Sequence, residues 1–339
     1  MKRIKINYLM IILVIILIIS IFLAIGLGPT RISLKDTLDI ILNIKGNYTL
    51  VEKNTILYLR LPRVLLGLIV GISLSLCGVT MQALVRNQLA DPFILGVSSG
   101  ASTFATLDML FSTFAFLGAY RLSLSAFLGA LFTIVLVCLL SRINGRMNIT
   151  QLLLSGVVIS MIMDGITKMI TLSAPNALGL HNAEFWMSGS LAGAKVEYLL
   201  LPLIVMIISF VYLMINYRAL NVLSLGEETA LTLGINIKRV QFMLVIIASL
   251  LAGVCIAVSG TIGFVGLMCP HLARLLVGQD HKKVLVVSGL LGGILVVWTD
   301  VIARVIIAPQ ELPLGILTAI IGGPIFIYML RKKQKGEIS

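Results

Sequence analysis

Apolar runs of about 20 residues alternate along this chain with short segments that hold most of its charge. A run of that length, coiled at about 1.5 Å per residue, matches the roughly 30 Å hydrocarbon core of a bilayer. Ten such runs lie at 8–28, 62–85, 93–111, 122–141, 149–171, 198–217, 239–258, 262–278, 284–307 and 314–330. The pattern predicts an all-α integral membrane protein with about ten transmembrane helices, forming one transmembrane domain over residues 1–339. The eighth run is short and carries Gly263, Gly266 and Pro270. It predicts a broken helix, which membranes tolerate where protein covers the freed backbone groups. The first run follows Lys2, Arg3 and Lys5. Its length exceeds the roughly 7–15 residues of a signal-peptide core, so a retained first helix is expected.

Loop charge orients the chain. With the N-terminus inside, the inner segments hold Lys2, Arg3, Lys5, Arg86, Arg142, Arg146, Arg218, Lys238, Arg239, Arg274, Lys282, Lys283, Arg331, Lys332, Lys333 and Lys335. The outer ones hold Arg31, Lys35, Lys45, Lys53, Arg60, Arg63, Arg121, Lys195 and Arg304. The excess of basic residues belongs on the cytoplasmic side, which puts both termini there, with a basic C-terminal tail at 331–339.

Composition agrees: 59% of residues are hydrophobic and 12% charged, against about 45–50% and 25% in soluble domains. The net charge of +12 lies in short segments between apolar runs. It reads as anchorage at an anionic membrane face, and no nucleic-acid partner is expected. Cys77, Cys138, Cys255 and Cys269 all lie inside apolar runs and read as small packed hydrophobes. His181, His271 and His281 are scattered, so no metal site is expected. Small residues recur every fourth position at Gly67, Gly71 and Ser75, at Gly96 and Gly100, and at Gly289 and Gly293. Such spacing lets helices approach closely in lipid.

No catalytic constellation emerges, and no catalytic residue or cofactor site is assigned. The chain has no Gly-Lys dipeptide and so no P-loop; if ATP drives it, a partner subunit binds the nucleotide. Two opposite-charge pairs lie four residues apart within apolar runs, Asp164 with Lys168 and Asp300 with Arg304. They read either as self-neutralised pairs or as a polar pathway or proton relay. The inner segment 218–238 carries a capped short helix: Gly226 starts it, Glu227 and Glu228 occupy its first turn, and Gly234 ends it. Ala230, Leu231 and Leu233 supply an apolar face suited to a partner's groove.

The stretch RLPRVLLGLIVGISLSLCGVTMQALVRNQLADPFILGVSSGAS resembles the FecCD-type permeases. The resemblance continues through FWMSGSLAGA, LNVLSLGEETALTLGIN, GTIGFVGLMCPHLARLLVGQDHKK and ELPLGILTAIIGGPIFIYML. One departure is Gln88 in RNQLADP, where the family usually has proline; a looser turn is expected there. These permeases serve importers of iron–siderophore complexes, haem and vitamin B12. The resemblance implies a vitamin B12 importer permease-like fold (a type II ABC importer) in the bacterial plasma membrane. It also implies a homodimer with the substrate path at its interface, two ATP-binding cassette subunits beneath and an extracytoplasmic substrate-binding protein above. On that basis Leu225, Gly226, Glu227, Glu228, Thr229, Ala230 and Gly234 are expected to couple to the ATPase. Arg60, Arg63 and Arg304 are expected to dock the binding protein, or else to anchor helix ends with Arg304 satisfied by Asp300. Ser155, Gly156, Ser160, Met161 and Asp164 are expected to line the path. Iron(III)–siderophore is the expected cargo. Haem or vitamin B12, and in another class an ion-coupled secondary transporter, remain alternatives.

Overall fold

The computed structural model describes residues 6–30, 32–44, 46, 48–143 and 146–334. Of the charges used for orientation, Lys2, Arg3, Lys5, Arg31, Lys45 and Lys335 fall outside these, as do the side chains of Arg146, Arg331, Lys332 and Lys333. The protein is a bundle of helices. Helix α1 spans Ile6–Gly26 and leads into the short α2 (Leu34–Ile41) and α3 (Leu50–Asn54). The segment after the first span is thus partly helical. Ser33 caps α2 and Thr49 opens a capping box on α3 with Glu52. A π-helical turn, Thr55–Arg60, carries α3 directly into α4 (Leu61–Val85), so helix begins 12 residues before the expected position 62.

The remaining elements are α5 (Val97–Phe111), α6 (Arg121–Leu140), a two-residue hairpin of β1 (Arg142–Ile143) and β2 (Arg146–Met147), and α7 (Ile149–Leu172). Then come α8 (Ala177–Met187), α9 (Leu200–Ile215), α10 (Tyr217–Leu223), α11 (Glu227–Thr232) and α12 (Ile237–Ser259). The chain continues through α13 (Val265–Val277) and α14 (His281–Val305) to α15 (Leu314–Gln334). Among the described residues, seven helical stretches are long and apolar enough to cross a membrane. With the shorter α5 and α13, and with α15, whose apolar part is Leu314–Tyr328, they correspond to the ten expected spans.

Helix α4 is the centre. Most of its side chains are buried, and it packs on α12, α13 and α14. Glycine makes this possible. A Cβ at Gly71 would fall on the Gly292 backbone, and one at Gly78 on the Gly266 carbonyl. Gly100 of α5 meets Gly129 of α6 in the same way. The fourfold spacing of Gly67, Gly71 and Ser75 is therefore used on α4, while on α14 the tightest contact belongs to Gly292, between the expected Gly289 and Gly293.

The expected break in the eighth span exists but lies earlier, at residues 260–264, before α13 begins. Gly260 and Phe264 both take positive φ, +64° and +66°, while Gly266 and Pro270 sit inside the helix. The chain on either side of the break is tied to the loop after α8, which is tied in turn to the start of α15. The Ser190 N–H donates to the Ser259 carbonyl at 2.8 Å, and the Leu314 and Gly315 N–H groups donate to Gly189 and Ser188. Ser98 and Thr261 share a hydroxyl hydrogen bond at 2.9 Å. The turn with Gln88 is held without proline: the Asn87 side chain accepts from the Leu89 N–H and its carbonyl from the Ala90 N–H.

Two glycine substitutions separate the close-contact sites from open ones. Gly71→Leu should be strongly destabilising, by more than the roughly 1–3 kcal/mol usual for overpacking, because the obstacle is backbone. Gly193→Ala, where a Cβ meets nothing within 4 Å, should be near neutral. Thermal unfolding of the purified variants in detergent checks both.

Candidate functional site

The ends of α14 define two faces. At its C-terminal end Arg304 reaches the last carbonyls of α1, donating to Ala24 and Leu27. At its N-terminal end Asn221 of α10 bonds Asp280 and His281. The sites expected for a binding protein and for an ATPase therefore stand at opposite ends of one helix.

At the α1 C-terminus, all three expected docking arginines are buried, with 4%, 8% and 3% of their surface exposed for Arg60, Arg63 and Arg304. The π-helical turn points Arg60 inward, where it donates to the Ile25, Gly26 and Thr30 carbonyls. The first two are carbonyls that the end of α1 leaves without intrahelical partners. Arg63 forms a fork with Glu311 at 2.8 and 2.9 Å and a third bond to Asp300 at 2.8 Å. Arg304 pairs with the other oxygen of Asp300 at 3.0 Å. The geometry matches the alternative expected of these three arginines, helix-end anchorage with Arg304 satisfied by Asp300, more closely than three open landing sites. Their donors are consumed by α1 and by two acids, and Glu311, partly exposed, is the member nearest the surface. Glu311 was missed because it lies beyond α14, 248 residues from its partner.

The pathway residues divide between two sides of α7. Leu152, Ser155, Gly156, Ile159, Met163 and Thr167 form its buried stripe. Gly156 lies against the Ile94 carbonyl in the 3-10 turn Pro92–Leu95, and Ser160 is half-buried with its hydroxyl on the Gly156 carbonyl. Ser155 and Gly156 therefore pack inside the subunit, which removes them from an open wall. Met161, 69% exposed, and Asp164 lie on the opposite stripe with Val157, Lys168 and Leu172. Asp164 and Lys168 form no ion pair here, unlike Asp300 and Arg304. Two of the five expected residues thus remain on an uncovered face.

At the α14 N-terminus, α11 is built as its sequence predicts. Gly226 takes φ +120° before the helix. Gly234, at φ +75°, closes it with Ile235 N–H on the Ala230 carbonyl and Gly234 N–H on Leu231, the paired bonds of a Schellman cap. The expected apolar face is split. Ala230 is fully buried in the subunit's own core. Leu225, Leu231 and Leu233 are exposed, as are Glu228 and Thr229. The Glu227 side chain lies outside the described residues.

The segment leading to α11 is tied to the bundle beside it. Asn221 donates to Asp280 at 3.0 Å and accepts from the His281 N–H at 2.8 Å. Burial acts to raise the Asp280 carboxyl. Hydrogen bonds from Asn221 and the Lys282 N–H, with the Lys283 charge, outweigh it and hold the group below the ordinary carboxylate value.

The FecCD transport family matches this chain over residues 16–332. This chain belongs to that family. It is accordingly a multi-pass membrane permease of the ABC-importer kind. It is 39% identical over 286 residues to the vitamin B12 import system permease protein BtuC of Vibrio cholerae, covering 83% of each chain. It is 38% identical over 278 residues to the ferric enterobactin transport system permease protein FepD of Escherichia coli, covering 82% of each. A solved structure described as an inward-facing conformation of a metal-chelate type ABC transporter superposes with a TM-score of 0.85 at 30% identity, over 96% of this chain and 99% of that one.

Two substitutions probe the polar clusters. Arg63→Met leaves Asp300 and Glu311 short of a partner and should cost about 3–5 kcal/mol, as removal of one member of a buried pair does; unfolding temperature in detergent reads it. Asp280 stabilises the fold while ionised in the native state. Because its folded value is depressed, the contribution is complete above about pH 4, the ordinary unfolded value, and is lost as pH falls through the folded one. Asp280→Asn should flatten that acid-side loss in a series of melting curves.

Proposed function

We propose that this chain forms, as a homodimer, the translocation path of an ATP-driven importer for a metal chelate, with iron(III)–siderophore as cargo. One observation carries the reading: the uncovered stripe of α7 holds Asp164 and Lys168 with no ion-pair partner among the described residues. An ionised side chain facing lipid costs about 2.5–3.5 kcal/mol even by the lenient insertion scale. A second copy of α7 across a water-accessible path removes that cost. Met161 and Asp164 then line the path, while Ser155 and Gly156 set the position of α7 against α5.

ATP is handled by separate cassette subunits seated on α11, with Leu225, Leu231 and Leu233 as the contact in place of Ala230. Gly226 and Gly234 fix the helix ends, and Glu228 and Thr229 border the contact. The N- and C-termini lie on that same cytoplasmic side. A substrate-binding protein docks at the opposite face. There the Arg60, Arg63 and Arg304 network shapes the rim, and Glu311 is its outermost charge. Closure of the cassettes moves α11, and the Asn221–Asp280 tie passes that movement to α14. The chelate class rests on the relatives named for vitamin B12 and ferric enterobactin and on the metal-chelate transporter structure. An ion-coupled carrier would need its four charges in one relay. Asp300 and Arg304 are locked into the α1 end, on a helix packed against α4 and α13, whereas α7 packs on α5 and α6.

Reconstitution with its cassette and binding-protein partners tests the proposal. Uptake of radiolabelled ferric siderophore should require ATP, and a proton or sodium gradient alone should drive none. Leu231→Glu with Leu233→Glu should reduce cassette co-purification and coupled uptake at least tenfold while membrane insertion is unchanged. Uptake driven by an ion gradient without cassettes would overturn the importer reading.

A further inference from the structure

A groove of about 300 Å³ runs between α6 and α12, and nothing in the transport reading uses it. On α6 its wall is a helical stripe from Phe127 through Ala130 and Ile134 to Cys138, and Arg142 of β1 follows just beyond the helix. On α12 the stripe runs Phe242, Ile246, Ser249, Leu250 and Gly253. Eleven residues separate Phe127 from Cys138, about 16 Å of helix, close to one leaflet's share of a roughly 30 Å core. The walls are apolar over that whole length.

The two ends differ in charge. Arg142 closes one end of the groove and is exposed. Lys238 and Arg239, also exposed, precede Phe242 by four and three residues, so they continue the same face of α12 to the same end. None of these three cations makes an ion pair or side-chain hydrogen bond among the described residues. No acidic residue occurs between Asp108 and Asp164 or between Glu228 and Asp280 to neutralise them in sequence. Gly253 keeps the far end open: a Cβ there would only touch Phe127 and Ala130 at ordinary contact distance.

We propose that this groove binds one anionic diacyl phospholipid. An acyl chain lies between α6 and α12, and the headgroup phosphate meets Arg142, Lys238 and Arg239. A slot that is apolar for the depth of one leaflet and triply cationic at its mouth complements such a lipid in both length and charge. A zwitterionic lipid offers the same chain without the net charge. A soluble anion offers the charge without the chain. The assignment to the inner leaflet rests on the orientation in the proposed function; the binding itself does not.

Native mass spectrometry of the full-length protein in detergent, with equimolar dioleoyl phosphatidylglycerol and dioleoyl phosphatidylethanolamine added, tests the site. Wild type should retain phosphatidylglycerol about tenfold or more over phosphatidylethanolamine, given what each basic residue contributes near an anionic lipid. The variant with Arg142→Gln, Lys238→Gln and Arg239→Gln should lose that preference yet still bind lipid. Gly253→Leu with Ser249→Leu should lose both lipids. If that pair folds poorly, Leu250→Trp, at a partly exposed position, fills the groove from its rim. Equal retention of the two lipids by wild type, or an undiminished preference in the filled variant, would overturn the proposal. The second result would assign the effect to surface charge alone. Because the readout is lipid mass, failure of the importer reading leaves this test intact, and the reverse holds as well.

Discussion

Two places where backbone touches backbone govern this subunit: α4 against α14 at Gly71 and Gly292, and α4 against α13 at Gly78 and Gly266. In lipid, apolar burial gives little net preference for helix over acyl chain, so association depends on close dispersion contact and weak polar bonds. Contact this close needs glycine on both sides. Once α4 is pinned to both neighbours, their crossing is set, and the break at residues 260–264 follows. The chain must leave α12 and re-enter α13 beside α4 within a few residues. Gly260 and Phe264 absorb that reversal in left-handed conformations.

The unwound stretch would be intolerable in hydrocarbon without partners. Beside it, the last carbonyl of α12 accepts from the Ser190 N–H in the loop after α8, that loop's Ser188 and Gly189 carbonyls accept from the start of α15, and Thr261 within it bonds Ser98 of α5. The loop after α8 thus ties the end of α12 to the start of α15, and α15 is positioned by backbone bonds at Leu314 and Gly315 as much as by side chains. At the α1 end the logic is electrostatic. Arg60 and Arg304 fill the carbonyl end of α1, where cations suit the helix dipole, and Asp300 balances Arg63 and Arg304. The cluster holds elements far apart in sequence through fixed, directional bonds.

Much of the span pattern was legible because the bilayer imposes a length and because glycine spacing reports close packing. The short helix α11 was legible because Gly226 and Gly234 mark both its ends. What sequence could not supply was direction. Ala230, Leu231 and Leu233 all read as one apolar face, yet the helix turns Ala230 to its own core and the leucines outward. Ser155 and Asp164 both read as polar residues of one wall, yet they stand on opposite sides of α7. The arginines read as docking residues because loop charge places all three at the outer face. Their acceptors, the carbonyls of residues 24–30 and the Glu311 carboxylate, carry no pattern that names a donor at such sequence separation. Asp164 with Lys168 and Asp300 with Arg304 share one spacing but not one fate, because only the second pair has a neighbouring helix to hold it.

The clasp on α1 also sets an order for how the protein is made. The Ala24 carbonyl emerges 280 residues before the guanidinium that binds it. At roughly 5–20 residues per second of synthesis, that is a delay of about 14–56 s. Through that interval the first helix is held by lipid, by Arg60 and by its packing on α2, the π-helical turn and α4. Arrival of α14 converts a loosely attached helix into a fixed one, so the chain completes its N-terminal architecture almost last.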